Sequence, residues 1–387
     1  MRFSNRKALV IVCLLASISA ILHFGNANQV RGDPKLDFDS PYYIYLLLWL
    51  RGEVDTLPPQ PFRMRVVVPA LAGALARYIG VNNSFGLINT VLWVTTVAVY
   101  FIAIRKLYDL KTATMASVLF SFSVPVMVYG AAISTDMLGY LSIAASTLYL
   151  AADPKQGKKL LLLLLGILLY FATMGREVSI LVVAYVLVYR ILSDKNIYQA
   201  LREALILTLF SVLGLATSSL IIPQPGYTAY FYSALQSSLT VDKVLDELYQ
   251  IAATYHIGWI PIIYTLVISN RLAGKRNNLL LTSLIVGVGF LVLDHFIGMI
   301  SSRFVFLTYP GFLVAIYTGT NLMSNPISSR TKSNLYRVII WMALTVYIVI
   351  GFLATAENNL SFPTSSDEAI AKLFPNNYPM EKLWKIK

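Results

Sequence analysis

The chain has 387 residues, 57% of them hydrophobic and 13% charged, with a mean hydropathy of +0.66. A soluble domain carries about 25% charged residues, so a soluble fold is excluded. The apolar stretches are continuous rather than alternating, which also excludes a membrane β-barrel. The net charge of +12 raises nucleic-acid binding as a reading, but the bases sit in short segments between apolar runs. There they set membrane topology and meet anionic lipid, so membrane lipid and not nucleic acid is the expected partner.

The pattern is that of an all-α polytopic membrane protein with about eleven transmembrane helices. The first apolar run, Ala8–Phe24, follows Arg2, Arg6 and Lys7. A cleavable signal peptide has the same pattern, but no convincing small-x-small site follows, so the run is expected to stay as the first span. Further spans are expected at 84–104, 112–129, 136–152, 160–174, 177–192, 202–222, 256–270, 278–300, 303–320 and 336–354. With the N-terminus cytoplasmic and the C-terminus outside, each inner segment holds a basic triplet, such as Arg105, Lys106 and Lys111, or Arg330, Lys332 and Arg337. That agrees with the positive-inside rule. The expected location is a prokaryotic plasma membrane, with an organelle membrane as the alternative. Residues 1–356 are expected to form one multi-span domain with outer loops at 25–83 and 223–255, and 357–387 a short outer tail.

The first outer loop crowds Asp33, Asp37 and Asp39 just before the aromatic run SPYYIYLLLWL. That run is too short for a span and is expected to be a helix at the membrane interface, where Tyr and Trp prefer to sit. Pro58, Pro59 and Pro61 then break the chain. Arg63 to Ile79 is read as a second interfacial or re-entrant helix, because a span here would put Arg105, Lys106 and Lys111 outside. Other polar residues are expected at the same level: Asp136 in STDMLGY, Arg176 and Glu177 in MGREVS, Asp294 and His295 in LDHFIG, and Arg303 in SSRFVFLTYP. In the loop at 223–255, Tyr227, Tyr230 and Tyr232 suit stacking on sugar rings and equally suit a membrane interface. Val241, Val244, Leu245, Leu248 and Ile251 recur at helical spacing, which predicts an amphipathic helix lying on the membrane or covering the cavity.

A proton-coupled transporter places ionisable groups near the bilayer midplane. This chain gathers them at one interface, which suits chemistry on a lipid-borne substrate at a watery face. Each residue also has a plainer role. Ser134, Thr135 and Asp136 are all good N-cap types, Arg176 and Glu177 suit a solvated turn, and Arg63 and Arg65 can grip lipid headgroups. His295 suits packing better than catalysis. The three histidines are scattered and the single cysteine is Cys13, so no zinc spacing and no internal disulfide is present.

In chain order, the aromatic helix after an early Asp, PFRMRVVVPALAGALA, the basic RKLYDLK, STDMLGYLSIA, TMGREVSILVVAYVLV and RFVFLTYP together resemble the GT-C superfamily of membrane glycosyltransferases. The likeness is to the mannosyltransferase-like group that uses polyprenyl-phosphate sugars, and it covers about residues 7 to 320. The resemblance implies an essential carboxylate in the first outer loop between two juxtamembrane helices. Asp39 is the match because it directly precedes the SPYY helix, with Asp37 the close second; where the family often has two adjacent acids this chain has Asp-Phe-Asp, a departure that leaves the base open between the two. It implies that Asp136 sits at the position of an Asp common at the start of the fourth span. Arg176 matches a basic position after the fifth span, and Arg303 a late Arg for the donor phosphate. Arg63 and Arg65 are further candidates for that phosphate, and Glu177, Asp294 and His295 are supporting residues. The short tail stands where some members carry a large soluble domain.

The implied activity is transfer of a sugar from a polyprenyl-phosphate donor to an acceptor on the outer face, by single displacement with an Asp as general base. The carboxylates leave room for a divalent cation, although no metal motif is present. A carrier or flippase for a lipid-linked sugar or small solute is the alternative.

Overall fold

The computed structural model describes residues 4–350 except 28–38, 56, 59–60, 131–132, 153–157, 195, 223–240, 269–274, 298–299, 325–337 and 339–340. Among the described residues every regular element is helical. Six helical stretches are long and apolar enough to cross a membrane: Asn5–His23, Val81–Leu107, Lys158–Gly175, Ile197–Ile221, Lys243–Ile268 and Asn277–Phe296. The chain is thus the polytopic helical membrane protein its composition requires. The other expected spans coincide with shorter or segmented helices.

Local chemistry explains the segmentation. The stretch expected as one span at 112–129 is α5 (Leu110–Ser121) and α6 (Val124–Tyr129). Pro125 sits in the first turn of α6, where its missing N–H costs nothing. Helix α5 starts at Asp109, whose carboxylate accepts from the Thr112 amide at 2.7 Å, a standard N-cap. Helix α7 (Asp136–Ala151) is buried along almost its whole length. A 3₁₀ turn, Glu177–Ile180, joins α8 (Lys158–Gly175) to α9 (Leu181–Asp194), which is followed by α10 (Ile197–Ile221). Helix α11 (Val241–Tyr255) runs through a second 3₁₀ turn at His256–Gly258 into α12 (Trp259–Ile268). After α13 (Lys275–Ile297), the stretch expected at 303–320 is a four-residue helix α14 (Ser302–Val305), a 3₁₀ turn and α15 (Tyr309–Ser324). Trp341–Ile350 is a further apolar helix, α16.

Both helices expected in the first outer loop are present: α2 (Ser40–Leu50) and α3 (Val67–Ile79). Residues Tyr43 to Leu48 of α2 are all buried by protein, so this helix is enclosed rather than laid open on one face. Helix α3 buries Val68, Ala72 and Ala76 and exposes Leu71 and Tyr78. Its 13 residues span only ~20 Å at 1.5 Å per residue, short of a ~30 Å hydrocarbon core. Gly80, at φ +82°, turns the chain sharply into α4 (Val81–Leu107). Only glycine adopts that conformation without strain.

Helix α7 packs against α4 and α8, α8 against α10, and α13 against α9 and α15, while α1 (Asn5–Ala27) covers α4 and α5. A Cβ on Gly214 of α10 would collide with Tyr170 and Thr173 of α8, the close approach that small residues permit between apolar helices. The bundle interior is crossed by a layer of aromatic rings. Tyr100 meets Tyr309 at 5.1 Å, Phe120 meets Phe306 at 5.7 Å, and Tyr140 meets Phe306 edge-on at 5.5 Å. Their hydroxyls are not orphaned: Tyr100 donates to the Pro310 carbonyl and Tyr309 to that of Tyr140.

Candidate active site

One end of the bundle gathers the starts of α2, α7 and α14 and the turns before α3 and after α8. Each contributes an ionisable side chain. Asp39 directly precedes α2, whose Pro41 is in the first turn. Arg65 follows the 3₁₀ turn Phe62–Met64. The Val66 amide donates to the Met174 carbonyl at 2.9 Å and Ser218 to the Met64 carbonyl at 2.6 Å, so the segment bearing Arg65 is tied to α8 and α10. Asp136 opens α7, Arg176 and Glu177 form the α8–α9 turn, and Arg303 lies in α14.

These six side chains form one charge-balanced network. Arg303 Nη1 donates to Asp39 Oδ2 at 2.6 Å and lies 3.6 Å from Asp136 Oδ2. Arg176 Nη2 is 2.8 Å from Asp136 Oδ1. Arg65 grips Glu177 with two donors, Nε at 2.9 Å and Nη2 at 2.5 Å, the bidentate geometry that suits guanidinium and carboxylate. Tyr43 is the hub. Its hydroxyl oxygen accepts from Arg65 Nη1 at 2.7 Å and from Arg176 Nη1 at 3.3 Å, with the Thr135 hydroxyl at 3.4 Å. Phe304 places its ring beneath both Arg176 and Arg303, each 5.2 Å away, and Tyr129 supports Arg303 at 5.4 Å.

Depth divides the network. Arg65, Arg176 and Asp136 are buried, whereas the side chains of Asp39, Arg303 and Glu177 keep 19%, 17% and 22% exposure. The reachable atoms are therefore those of the Asp39–Arg303 pair and Glu177. Several buried donors and acceptors make no hydrogen bond, among them Arg176 Nε, Arg303 Nε and Asp136 Oδ2. Burial by itself would raise the Asp39 pKa. The charges of Arg303, Arg65 and Arg176, with the Arg303 hydrogen bond, outweigh it and hold the carboxyl below its ordinary value.

Other candidates fall elsewhere. Arg63 Nε bonds the Pro58 carbonyl, and the network reaches Arg65 instead, two residues on. Asp294 is buried with Oδ2 making no hydrogen bond. His295 belongs to a separate constellation, with Nδ1 2.6 Å from Glu247 Oε2 of α11. Asp37, Tyr227, Tyr230 and Tyr232 lie outside the described residues. The sequence reading missed Tyr43 as a hub, Phe304 as a platform, and Glu247. Only the crowding of Tyr beside the acidic run pointed toward the first.

Among the described residues the carboxylates of this network leave no site for a divalent cation. The Asp39 carboxylate is engaged by a guanidinium at 2.6 Å, and three arginines already balance the three carboxylates. No group of three or more His, Cys, Asp or Glu gathers among the described residues. A cavity of about 380 Å³ opens at the opposite end of the bundle, between Tyr108, Thr112, Thr265, Asn277, Thr318 and Asn321, remote from the charge network.

No family model and no curated protein matches the sequence. Solved structures do. The oligosaccharyltransferase of Archaeoglobus fulgidus in its apo form is 10% identical, with 98% of this chain and 59% of that one covered and a TM-score of 0.59. Its complex with Zn and sulfate is 12% identical, covering 97% and 56% at a TM-score of 0.61. ArnT from Cupriavidus metallidurans bound to undecaprenyl phosphate is 12% identical, covering 97% and 75% at a TM-score of 0.58. The chain thus spans only 59% of the oligosaccharyltransferase's length. Likeness at such identities is likeness of fold: the chain has the fold of the Archaeoglobus oligosaccharyltransferase and of ArnT.

Proposed function

We propose that the chain transfers a sugar from a polyprenyl-phosphate carrier to an acceptor at the end of the bundle that holds the charge network. The observation that carries this is the part-exposed Asp39–Arg303 pair, a base and a phosphate-binding cation 2.6 Å apart. The fold supports it, because one structure of similar fold holds undecaprenyl phosphate. In this reading the donor's phosphate binds Arg303, with Arg176 behind it, since guanidinium offers a planar fork of donors to phosphate oxygens.

The pair also explains how a carboxylate held at low pKa can act as a base. Paired to Arg303, Asp39 is a poor proton acceptor. A donor phosphate that takes over the guanidinium frees the carboxylate and lets its pKa return toward the ordinary range. Asp39 then accepts the proton of the acceptor group as that group attacks the anomeric carbon. The bond from that carbon to the phosphate oxygen breaks, and polyprenyl phosphate leaves with its negative charge met by Arg303 and Arg176. One displacement inverts the anomeric centre. Arg65, Glu177 and Tyr43 hold Arg176 and Asp39 in place. The outward-facing placement of this end follows from the positive-inside rule and is part of the proposal.

A carrier would need a path through the bundle. The aromatic layer of Tyr100, Phe120, Tyr140, Phe306 and Tyr309 stands between the charge network and the cavity at the other end, which favours chemistry at one face. The test is to supply the purified protein in lipid with radiolabelled polyprenyl-phosphate sugars and follow transfer and donor breakdown. Consumption of a donor by wild type, lost in Asp39→Asn, supports the proposal. Labelled lipid crossing the bilayer with no donor consumed would replace it with the carrier reading.

A further inference from the structure

Helix α14 has four residues, too few to hold itself together, because a helix nucleus fixes several residues for a single hydrogen bond. The first N–H groups of any helix also lack intrahelical partners. Here the N-cap Ser301 makes no side-chain capping bond. Helix α11 supplies acceptors for the first helical amide, that of Ser302, and for the Ile300 amide just ahead of the N-cap. Gln250 Oε1 accepts from the Ser302 amide at 3.1 Å, and Glu247 Oε1 accepts from the Ile300 amide at 3.2 Å. Glu247 Oε2 pairs with His295 at 2.6 Å, and Lys243 donates to the His295 carbonyl at 2.8 Å. Residues 243, 247, 250 and 254 recur at spacings of three and four, which places them on one face of α11. The opposite face exposes Leu245, Leu248 and Tyr249. The residue after Ser302 is Arg303, whose guanidinium reaches Asp39.

We infer that Glu247 and Gln250 are positioning residues for Arg303, the polar face of α11 fixing the register of the segment that delivers this guanidinium to Asp39. Neither residue touches the charge network itself. Their carboxylate and amide act through backbone N–H groups on the segment ahead of Arg303. Only the consequence for donor binding rests on the function proposed above.

The test uses the full chain in nanodiscs and reads phenylglyoxal labelling of Arg303 by mass spectrometry, with and without undecaprenyl phosphate, beside donor KM and kcat. The variants are Glu247→Leu, Gln250→Leu and the acceptor-retaining Gln250→Glu, each checked for wild-type thermal unfolding. Gln250→Leu carries the test if Glu247→Leu does not fold. The expected result is labelling of Arg303 about 3- to 10-fold faster in the two Leu variants, the scale of one lost hydrogen bond. Donor KM should rise by a similar factor with kcat little changed, and Gln250→Glu should behave as wild type. Unchanged Arg303 labelling in a folded Leu variant overturns the inference. If labelling speeds up but undecaprenyl phosphate does not protect Arg303 in wild type, the positioning role stands and the donor role of Arg303 falls.

Discussion

Asp39 and Arg303 are 264 residues apart in the chain and 2.6 Å apart in space. No local rule of sequence links them. Their pairing is made by the bundle, with Asp39 at the start of α2 and Arg303 in a helix of one turn, set over the rings of Phe304 and Tyr129.

Asp39→Asn keeps the side-chain shape and removes the proton acceptor. Transfer should fall by about 100-fold or more, the scale of a lost general base, while polyprenyl phosphate still binds. Asp37→Asn should retain most activity. Radiolabelled transfer assays on both variants decide the base, and the reverse ranking would assign it to Asp37.

Arg303→Gln removes a charge-assisted donor from the mouth of the network. Affinity for polyprenyl phosphate should drop about 10- to 100-fold. Titration in nanodiscs measures this, and an unchanged affinity would move the phosphate site elsewhere.

Arg176 is fully buried and faces Asp136. Arg176→Met leaves that carboxylate buried with only the more distant Arg303, 3.6 Å away, a loss of up to about 3–5 kcal/mol, the scale of a broken buried pair. The unfolding midpoint in detergent should fall by several degrees. The double variant Arg176→Met with Asp136→Leu should recover part of the loss, because it leaves neither charge behind.

Tyr43→Phe removes the oxygen that accepts from Arg65 and Arg176. The two guanidinium donors lose an acceptor, at a cost of about 1–3 kcal/mol. Activity should fall with stability, and the Tyr43→Phe protein should show faster phenylglyoxal labelling of Arg176.

The pH response follows from the lowered pKa of Asp39. A carboxylate with a depressed folded-state pKa contributes stability above its unfolded value and loses it as pH falls through the folded value. The Asp39 contribution should therefore be constant from pH 8 to about 5 and fade below about 4. Unfolding midpoints compared between wild type and Asp39→Asn across that range isolate it.

Membrane class, helical content and the clustering of polar residues toward one end were legible because they rest on composition and run length, which are properties of the chain alone. Asp39, Asp136, Arg176 and Arg303 stood out because a charge is rare in so apolar a sequence. Who pairs with whom was not legible. Arg63 and Arg65 flank Met64 identically in sequence, and only the tie of Val66 to Met174 turns Arg65 inward. Tyr43 and Phe304 were hidden among many aromatic residues, since stacking beneath a guanidinium leaves no periodic mark. The break at Arg176–Glu177 was legible from its two charges, whereas those at Ser123 and Val305 were invisible to hydropathy, because the side chains on either side are equally apolar.

The order in which the chain is made gives the network an unequal history. Arg65, Asp136, Arg176 and Glu177 all lie within the first half of the sequence and can neutralise one another early. Asp39 must wait for Arg303, a delay on the order of tens of seconds at typical rates of synthesis. Until then Asp39 has only the more distant Arg65, 3.9 Å away, and the finished chain is the first species in which that carboxylate meets its close partner.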